Sequence, residues 1–222
     1  MEGSPLAPDI LFHLGPVPIS RAVATTWAIM AVLAAIVVPA FARKGARQGA
    51  LQAALELVVV TIADQLRAIL DRAPWRYLPL LGSLFIFLVF ANLAAVVPGA
   101  APPTGHVETP AALAAIVFLS VHFFGVTRRG AGRYLKHYLE PSPFLLPLNL
   151  LAEVTRTFSL MIRLFGNMMS HEFVIAILAL LAGLLVPVPF LLLGILIGII
   201  QAYIFTVLAT VYIAAAVGAV EA

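Results

Sequence analysis

The sequence predicts an all-α integral membrane protein with about five membrane helices and one amphipathic surface helix, ending in a long, strongly tilted helical hairpin. Of its 222 residues, 63% are hydrophobic and only 10% are charged, whereas globular proteins average about 25% charged residues. Five or six apolar segments approach or exceed the roughly 20 residues that cross ~30 Å of hydrocarbon. We therefore expect residues 1–222 to form a single membrane domain.

The charge pattern excludes several classes of function. The formal net charge is +3, but the basic residues lie in short clusters beside apolar segments, where they indicate membrane topology and not nucleic-acid binding. The chain has no cysteine, which excludes disulfides and thiolate metal sites. Residues 1–20 carry Glu2 and Asp9 and no basic residue, so they do not resemble a cleaved signal peptide.

The first predicted span, residues 23–42, is followed by a cluster of basic residues, namely Arg43, Lys44 and Arg47. Basic residues beside a span concentrate on the cytoplasmic side. We therefore expect this cluster to face the cytoplasm and residues 1–22 to form an outer N-terminal segment.

Residues 50–72 predict a helix of a different kind, because charged residues interrupt its apolar pattern: Glu56, Asp64, Arg67, Asp71 and Arg72. A helix that crossed the bilayer would bury several of these charges at more than ~2.5 kcal/mol each. An amphipathic helix at the cytoplasmic surface leaves them in water. A span packed wholly against protein is the alternative.

A hairpin of two spans follows, at residues 78–98 and 111–127. The connection GAAPPTGHVETP contains no Lys or Arg, which suits the outer side. The second span ends in another basic cluster, which again indicates the cytoplasm: Arg128, Arg129, Arg133 and Lys136. We expect Asn92 to form an interhelical hydrogen bond, with a channel role as the alternative. We expect His122 to be a packing residue bonded to a neighbour's carbonyl, with an entry-channel role as the alternative.

The last part of the chain predicts a second hairpin, from two long helices at residues 144–186 and 190–219. No helix stop is evident between Phe144 and Leu185, and a continuous helix of this length would measure ~60 Å. Such a helix must tilt, kink or break. Pro187 and Pro189 provide the predicted turn, and this topology places the C-terminus in the cytoplasm.

Arg163 lies near the middle of the first long helix. A guanidinium does not lose its charge, and in the membrane it requires water or a carboxylate nearby. Viewed down the helix axis, Arg156, Asn167 and Ser170 lie within about 40° of Arg163. Glu153 and His171 lie at ~80° from it, and Glu172 lies at ~180°. Neither carboxylate shares the face of Arg163, so we expect its partner on another helix or chain. A static salt bridge is the alternative.

These motifs are similar to those of one known family. The run NLLAEVTRTFSLMIRLFGNMMSHE, followed after a proline turn by QAYIFTVLATVYI, resembles the membrane-embedded a subunit of rotary F-type ATP synthases. PLLGSLFIFLVFANLAAVVPG, HFFGV before a basic loop with YLKHYLEP, and FLLPLNLLAE extend the resemblance over most of the chain.

The resemblance implies the stator ion channel of a rotary motor in the bacterial inner membrane. Arg163 matches the arginine that faces the carboxylates of a rotating c-subunit ring and separates two offset half-channels for H⁺ or Na⁺. The implied partners are this ring, peripheral-stalk b subunits and the rest of the ATP synthase complex. By motif match, the half-channel residues are Asn167, His171, Glu172 and Gln201 on the outer side and Glu153 and Ser159 on the cytoplasmic side. Further candidates are Arg156, Asn149, Ser170 and Tyr203, and Gly194 is expected near His171.

The chain is expected to hold no nucleotide, cofactor or metal. It contains no GxxxxGK[ST] loop for phosphate, and its histidines lack metal-ligand spacing. A stand-alone secondary ion transporter is the main alternative function, but inverted repeats and broken midplane helices are typical of that class and neither is evident. A proton-pumping subunit of a quinone-linked redox complex is a further alternative.

Overall fold

The structure is a computed structural model that describes residues 10–14, 17–42, 50–70, 74–96, 102–139, 144, 146–183 and 186–218. These residues form seven α-helices: α1 (Arg21–Ala42), α2 (Ala50–Ile69), α3 (Leu78–Leu93), α4 (Glu108–Arg129), α5 (Ala131–Leu139), α6 (Leu146–Ala182) and α7 (Pro187–Val217). Five of them, α1, α3, α4, α6 and α7, are long and apolar enough to cross a membrane. The predicted fold class is confirmed.

A short β-hairpin before α1 was not predicted. Strand β1 (Ile10–Leu14) pairs antiparallel with β2 (Val17–Ser20). The Oγ of Ser20 accepts a hydrogen bond from the backbone N–H of Val23 at 3.4 Å, which satisfies one of the free N–H groups at the start of α1. The same hydroxyl donates to Oε2 of Glu108 at 2.6 Å. The first turns of α1 and α4 are thereby joined.

Helix α2 has one buried face and one charged face. Ile62 and Leu66 are buried in a core shared with α3 and α7, and Ala63 is also buried. The charged residues Asp64 and Arg67 are exposed, and Arg67 Nη1 donates to Asp64 Oδ1 at 2.8 Å. This distribution explains the interrupted apolar pattern, because the charges avoid the packed side. The basic cluster of residues 43–47 and the charges of Asp71 and Arg72 lie outside the described residues.

Helices α3, α4 and α7 form the centre of the molecule, and α6 lies at its side. The core between them includes Leu88 of α3, Val117 of α4 and Phe205 of α7. Within its most apolar stretch α6 buries only 11% of its residues, against 39% for α4. One long face of α6 is therefore left uncovered by the described part of this chain.

The turn between α6 and α7 differs from the prediction. Helix α6 ends at Ala182 and is followed by Gly183, whose φ is +75°, a left-handed conformation that glycine adopts without steric cost. No helix stop is expected from the sequence at this position, because glycine is also common inside membrane helices. Pro187 is the first residue of α7 and does not lie in the turn. Its missing N–H costs no hydrogen bond at that position.

Helix α5 was also not predicted, and it packs against α4 beside His122. The ring of Tyr134 in α5 lies against Gly125 of α4, where a methyl group would overlap it. The same ring is 6.0 Å from that of His122. His122 Nδ1 lies 2.8 Å from the carbonyl oxygen of Phe118. This carbonyl belongs to the same helix, four residues earlier, and not to a neighbouring helix as predicted.

Candidate functional site

A stripe of polar residues runs along the uncovered face of α6. Arg156, Ser159, Arg163 and Ser170 are exposed, and Asn167 is half-buried. They recur at spacings of three and four residues, which places them on one side of the helix. We call these five residues the polar stripe.

The guanidinium of Arg163 forms neither an ion pair nor a hydrogen bond with any residue that the structure describes. The large apolar side chain of its neighbour Ile162 is 45% exposed, and that of Phe158 is 56% exposed. A permanent charge in such an apolar segment requires an anionic or aqueous partner. No residue that the structure describes provides such a partner.

Asn167 and Gln201 connect α6 to α7. Asn167 Nδ2 donates to Gln201 Oε1 at 3.2 Å, and Gln201 is only 4% exposed. Its Nε2 is buried and has no hydrogen-bond partner among the described residues. A buried N–H group left unpaired costs about 1–3 kcal/mol. Gln201 Nε2 is therefore a donor that is free among the described residues and to which water or a carboxylate could bind. Its partner Asn167 lies four residues after Arg163 on α6.

A buried turn, residues 102–105, enters the helix bundle from the predicted outer loop. All four residues are buried, and Thr104 is 0% exposed. Thr104 Oγ1 donates to Asn92 Oδ1 at 2.9 Å, and Asn92 Nδ2 donates to the carbonyl oxygen of Gly198 at 2.8 Å. These bonds tie the turn to α3 and α7, and they confirm the predicted interhelical hydrogen bond of Asn92.

Glu172 is half-buried against this turn. A methyl group on Gly105 would come within 2.8 Å of Glu172 Oε1 and within 3.0 Å of the carboxyl carbon, so the carboxylate occupies the space that the glycine leaves free. Sequence reasoning missed Gly105 and Thr104 as neighbours of the site. Their only signal was the run PPTG, which reads as an ordinary turn.

His171 joins α6 to the beginning of α7. Its Nε2 lies 3.0 Å from the carbonyl oxygen of Phe190. Its ring lies over Gly194, where a methyl group would overlap the imidazole. Gly194 is thus the neighbour that the resemblance implies.

Glu153 and Arg156 form an ion pair within the first half of α6. Arg156 Nη1 lies 3.4 Å from Glu153 Oε2, and the carboxylate side chain is only 11% exposed. The guanidinium carbon of Arg156 lies 5.9 Å from the ring centre of Tyr212 in α7. The i,i+3 spacing was the available signal for the ion pair, whereas Tyr212 carried none.

The remaining candidates are dispersed. Tyr203 Oη donates to Gln65 Oε1 of α2 at 3.2 Å. Two residues turn a helix by about 200°, so Tyr203 faces α2 while Gln201 faces α6. The structure therefore does not bring Tyr203 together with the other candidates. Asn149 lies half-buried in the first turn of α6.

Comparison with known sequences places the chain in a family. The family model described as ATP synthase A chain matches residues 23–214. The chain is 54% identical over 220 residues to ATP synthase subunit a 2 of Bradyrhizobium sp., which covers 99% of both proteins. It is 46% identical over 207 residues to ATP synthase subunit a 1 of Hahella chejuensis, covering 93% of this chain and 88% of the relative. It is 44% identical over 215 residues to ATP synthase subunit a of Nitrosospira multiformis, covering 95% of this chain and 86% of that relative. The chain therefore belongs to the ATP synthase A chain family, the a subunits of bacterial F-type ATP synthases.

Proposed function

We propose that this chain is the stator ion channel of an F-type ATP synthase. It carries H⁺ or Na⁺ through two offset half-channels to and from the carboxylates of a c-subunit ring, and it thereby couples ion flow to ring rotation. The observation that supports this best is Arg163, a permanent cation exposed on an apolar helix and unpaired among the described residues. A passing carboxylate from another chain would offset the cost of that charge in the membrane.

The permanent charge of Arg163 is what would couple ion flow to rotation of the ring. A neutral, ion-loaded carboxylate can pass through lipid, whereas a bare carboxylate is stable only near a cation or water. The guanidinium therefore favours release of the ion from the ring. As a fixed positive charge it also repels cations that would leak directly between the two half-channels. Net ion flow then requires the ring to turn.

The outer half-channel contains Glu172, Gln201 and Asn167, with His171 beside them. Glu172 supplies a carboxylate that can exchange an ion with the outer side. The Asn167–Gln201 pair supplies amide groups between that carboxylate and Arg163. Support comes from the hydrogen bond that holds this pair together and from the unpaired buried Nε2 of Gln201.

The cytoplasmic half-channel involves Ser159 and Glu153, which precede Arg163 on α6. Ser159 is exposed on the polar stripe one turn from Arg163. Arg156, Ser170 and Asn149 flank the path. Tyr203 is left out, because it contacts α2.

The proposed setting is the bacterial inner membrane, with the N-terminus outside and the C-terminus in the cytoplasm. Arg128 and Arg133, at the junction of α4 and α5, are exposed, as expected for a cytoplasmic cluster. The proposed partners are the c-ring, peripheral-stalk b subunits and the remaining subunits of the ATP synthase. The chain itself binds no nucleotide.

The partner ring gives a direct test. Purification in mild detergent is expected to yield this chain together with a ring of short two-helix subunits, identified by mass spectrometry. A secondary transporter would purify without the ring and would bind or move a solute by itself. Ion transport by the isolated chain, with no ring subunit present, would refute the proposal.

The position of the Glu172 carboxylate against Gly105 gives a second test. Gly105→Ala is expected to slow proton-driven ATP synthesis about threefold, because the added methyl displaces the carboxylate from the position it occupies. The measurement is the initial rate in inverted membrane vesicles with matched amounts of assembled complex. Gly132→Ala is the control, since nothing lies within 4 Å of a methyl group there. An unchanged rate for Gly105→Ala would mean that the position of the carboxylate does not matter.

A further inference from the structure

We propose that Glu153 acts by neutralising Arg156, so that Arg163 is the one uncompensated cation on the described part of the polar stripe. The inference rests on the proposed function, because it concerns where a ring carboxylate comes to rest. It gives Glu153 a positioning role, where the motif match alone implies an ion carrier.

The two arginines are close and face the same way. They are seven residues apart, which corresponds to ~10 Å along the helix axis and to an angular difference of about 20°. Both are exposed, and both keep their charge at any accessible pH. A bare carboxylate that moves past this face would be attracted to both positions.

Only one of the two charges is compensated. Glu153 Oε2 lies 3.4 Å from Arg156 Nη1, and the Glu153 side chain is 11% exposed while that of Arg156 is 52% exposed. Because the carboxylate is largely shielded from solvent, its attraction to the guanidinium is screened less than in a fully exposed ion pair. The ring of Tyr212, 5.9 Å from the guanidinium carbon, adds a cation–π contact. Arg163 has neither kind of contact among the described residues.

The consequence is a single resting position for the ring. A passing carboxylate meets an ion pair of near-zero net charge at Arg156 and a full positive charge at Arg163. Removal of the Glu153 charge creates a second attractive position ~10 Å from the first. Each ring step would then contain two stops in place of one.

The test is a double-mutant cycle in the complete ATP synthase. Glu153→Gln is expected to slow proton-driven ATP synthesis about fivefold, because the unmasked Arg156 retains ring carboxylates. Adding Arg156→Gln is expected to restore the rate to within about twofold of Arg156→Gln alone. Glu56→Gln is the control, since it removes an exposed carboxylate from α2 and leaves the polar stripe unchanged.

Single-molecule recording of ring rotation adds a readout that a merely structural role would not change. Glu153→Gln is expected to show an additional pause in each ring step, and the double variant is expected to lose it. If the unpaired Arg156 prevents assembly of Glu153→Gln, the double variant is expected to restore assembly for the same electrostatic reason.

Two outcomes would overturn this inference. If Glu153→Gln slows the Arg156→Gln variant as much as it slows the wild type, Glu153 carries ions itself. An assembled Glu153→Gln complex at the wild-type rate would show that Arg156 needs no masking. Either result leaves the proposed function standing as long as loss of Arg163 still abolishes coupling. The two proposals therefore fail separately.

Discussion

Arg163→Ala is expected to abolish both ion-driven ATP synthesis and ATP-driven ion pumping in reconstituted vesicles. Opposite charges 4 Å apart interact by about 4 kcal/mol at an effective dielectric constant of about 20, and losing that attraction corresponds to about a thousandfold in rate. In the proposed mechanism, a ring carboxylate then lacks the cation that favours release of its ion. Passive ion leak through the complex is expected to rise at the same time, because the fixed positive charge between the half-channels is gone.

The controls for this prediction separate charge from assembly. Copurification of the ring with Arg163→Ala shows whether the complex still forms. Arg163→Lys retains a positive charge but concentrates it on one compact ammonium group, so we expect partial coupling and little leak. Full coupling in an assembled Arg163→Ala complex would remove the basis of the proposed function.

Glu172→Gln is expected to slow transport at least about tenfold, because the amide keeps the size of the side chain but can neither accept nor release a proton. The amide should fit the space beside Gly105 that the carboxylate occupies. The measurement is the initial rate of ATP-driven proton pumping in vesicles. Glu172→Asp retains the carboxylate on a side chain one methylene group shorter, which moves it away from Gly105. An intermediate rate is therefore expected. A wild-type rate for Glu172→Gln would exclude Glu172 from the channel.

The two substitutions are expected to fail in different ways. Glu172→Gln leaves Arg163 in place, so the slower complex should remain coupled and should not leak. Arg163→Ala removes the barrier itself, so the complex should lose coupling. Measuring passive ion leak together with the transport rate therefore distinguishes a variant that only slows ion flow from one that has lost coupling.

Several features of the structure could not be predicted from the sequence. The turn after α6 was expected at Pro187 and Pro189 and not at Gly183, because Gly183 lies in an apolar run and composition does not reveal its positive φ. The β-hairpin and α5 were missed because short elements carry weak periodicity. His122 was expected to bond to a carbonyl of a neighbouring helix, whereas its Nδ1 lies beside the Phe118 carbonyl of its own helix.

The sequence by itself determined the membrane class, the five apolar helices, the polar stripe of α6 and the isolation of Arg163 from both nearby carboxylates. Composition and helical periodicity suffice for these features, because each depends only on neighbours within one helix. Only the tertiary structure decided that Glu172 rests on Gly105, that Asn167 meets Gln201, and that Tyr203 turns to α2. Periodicity gives the direction in which a side chain leaves its own helix. What it meets there depends on how α2, α3, α6, α7 and the buried turn pack against one another.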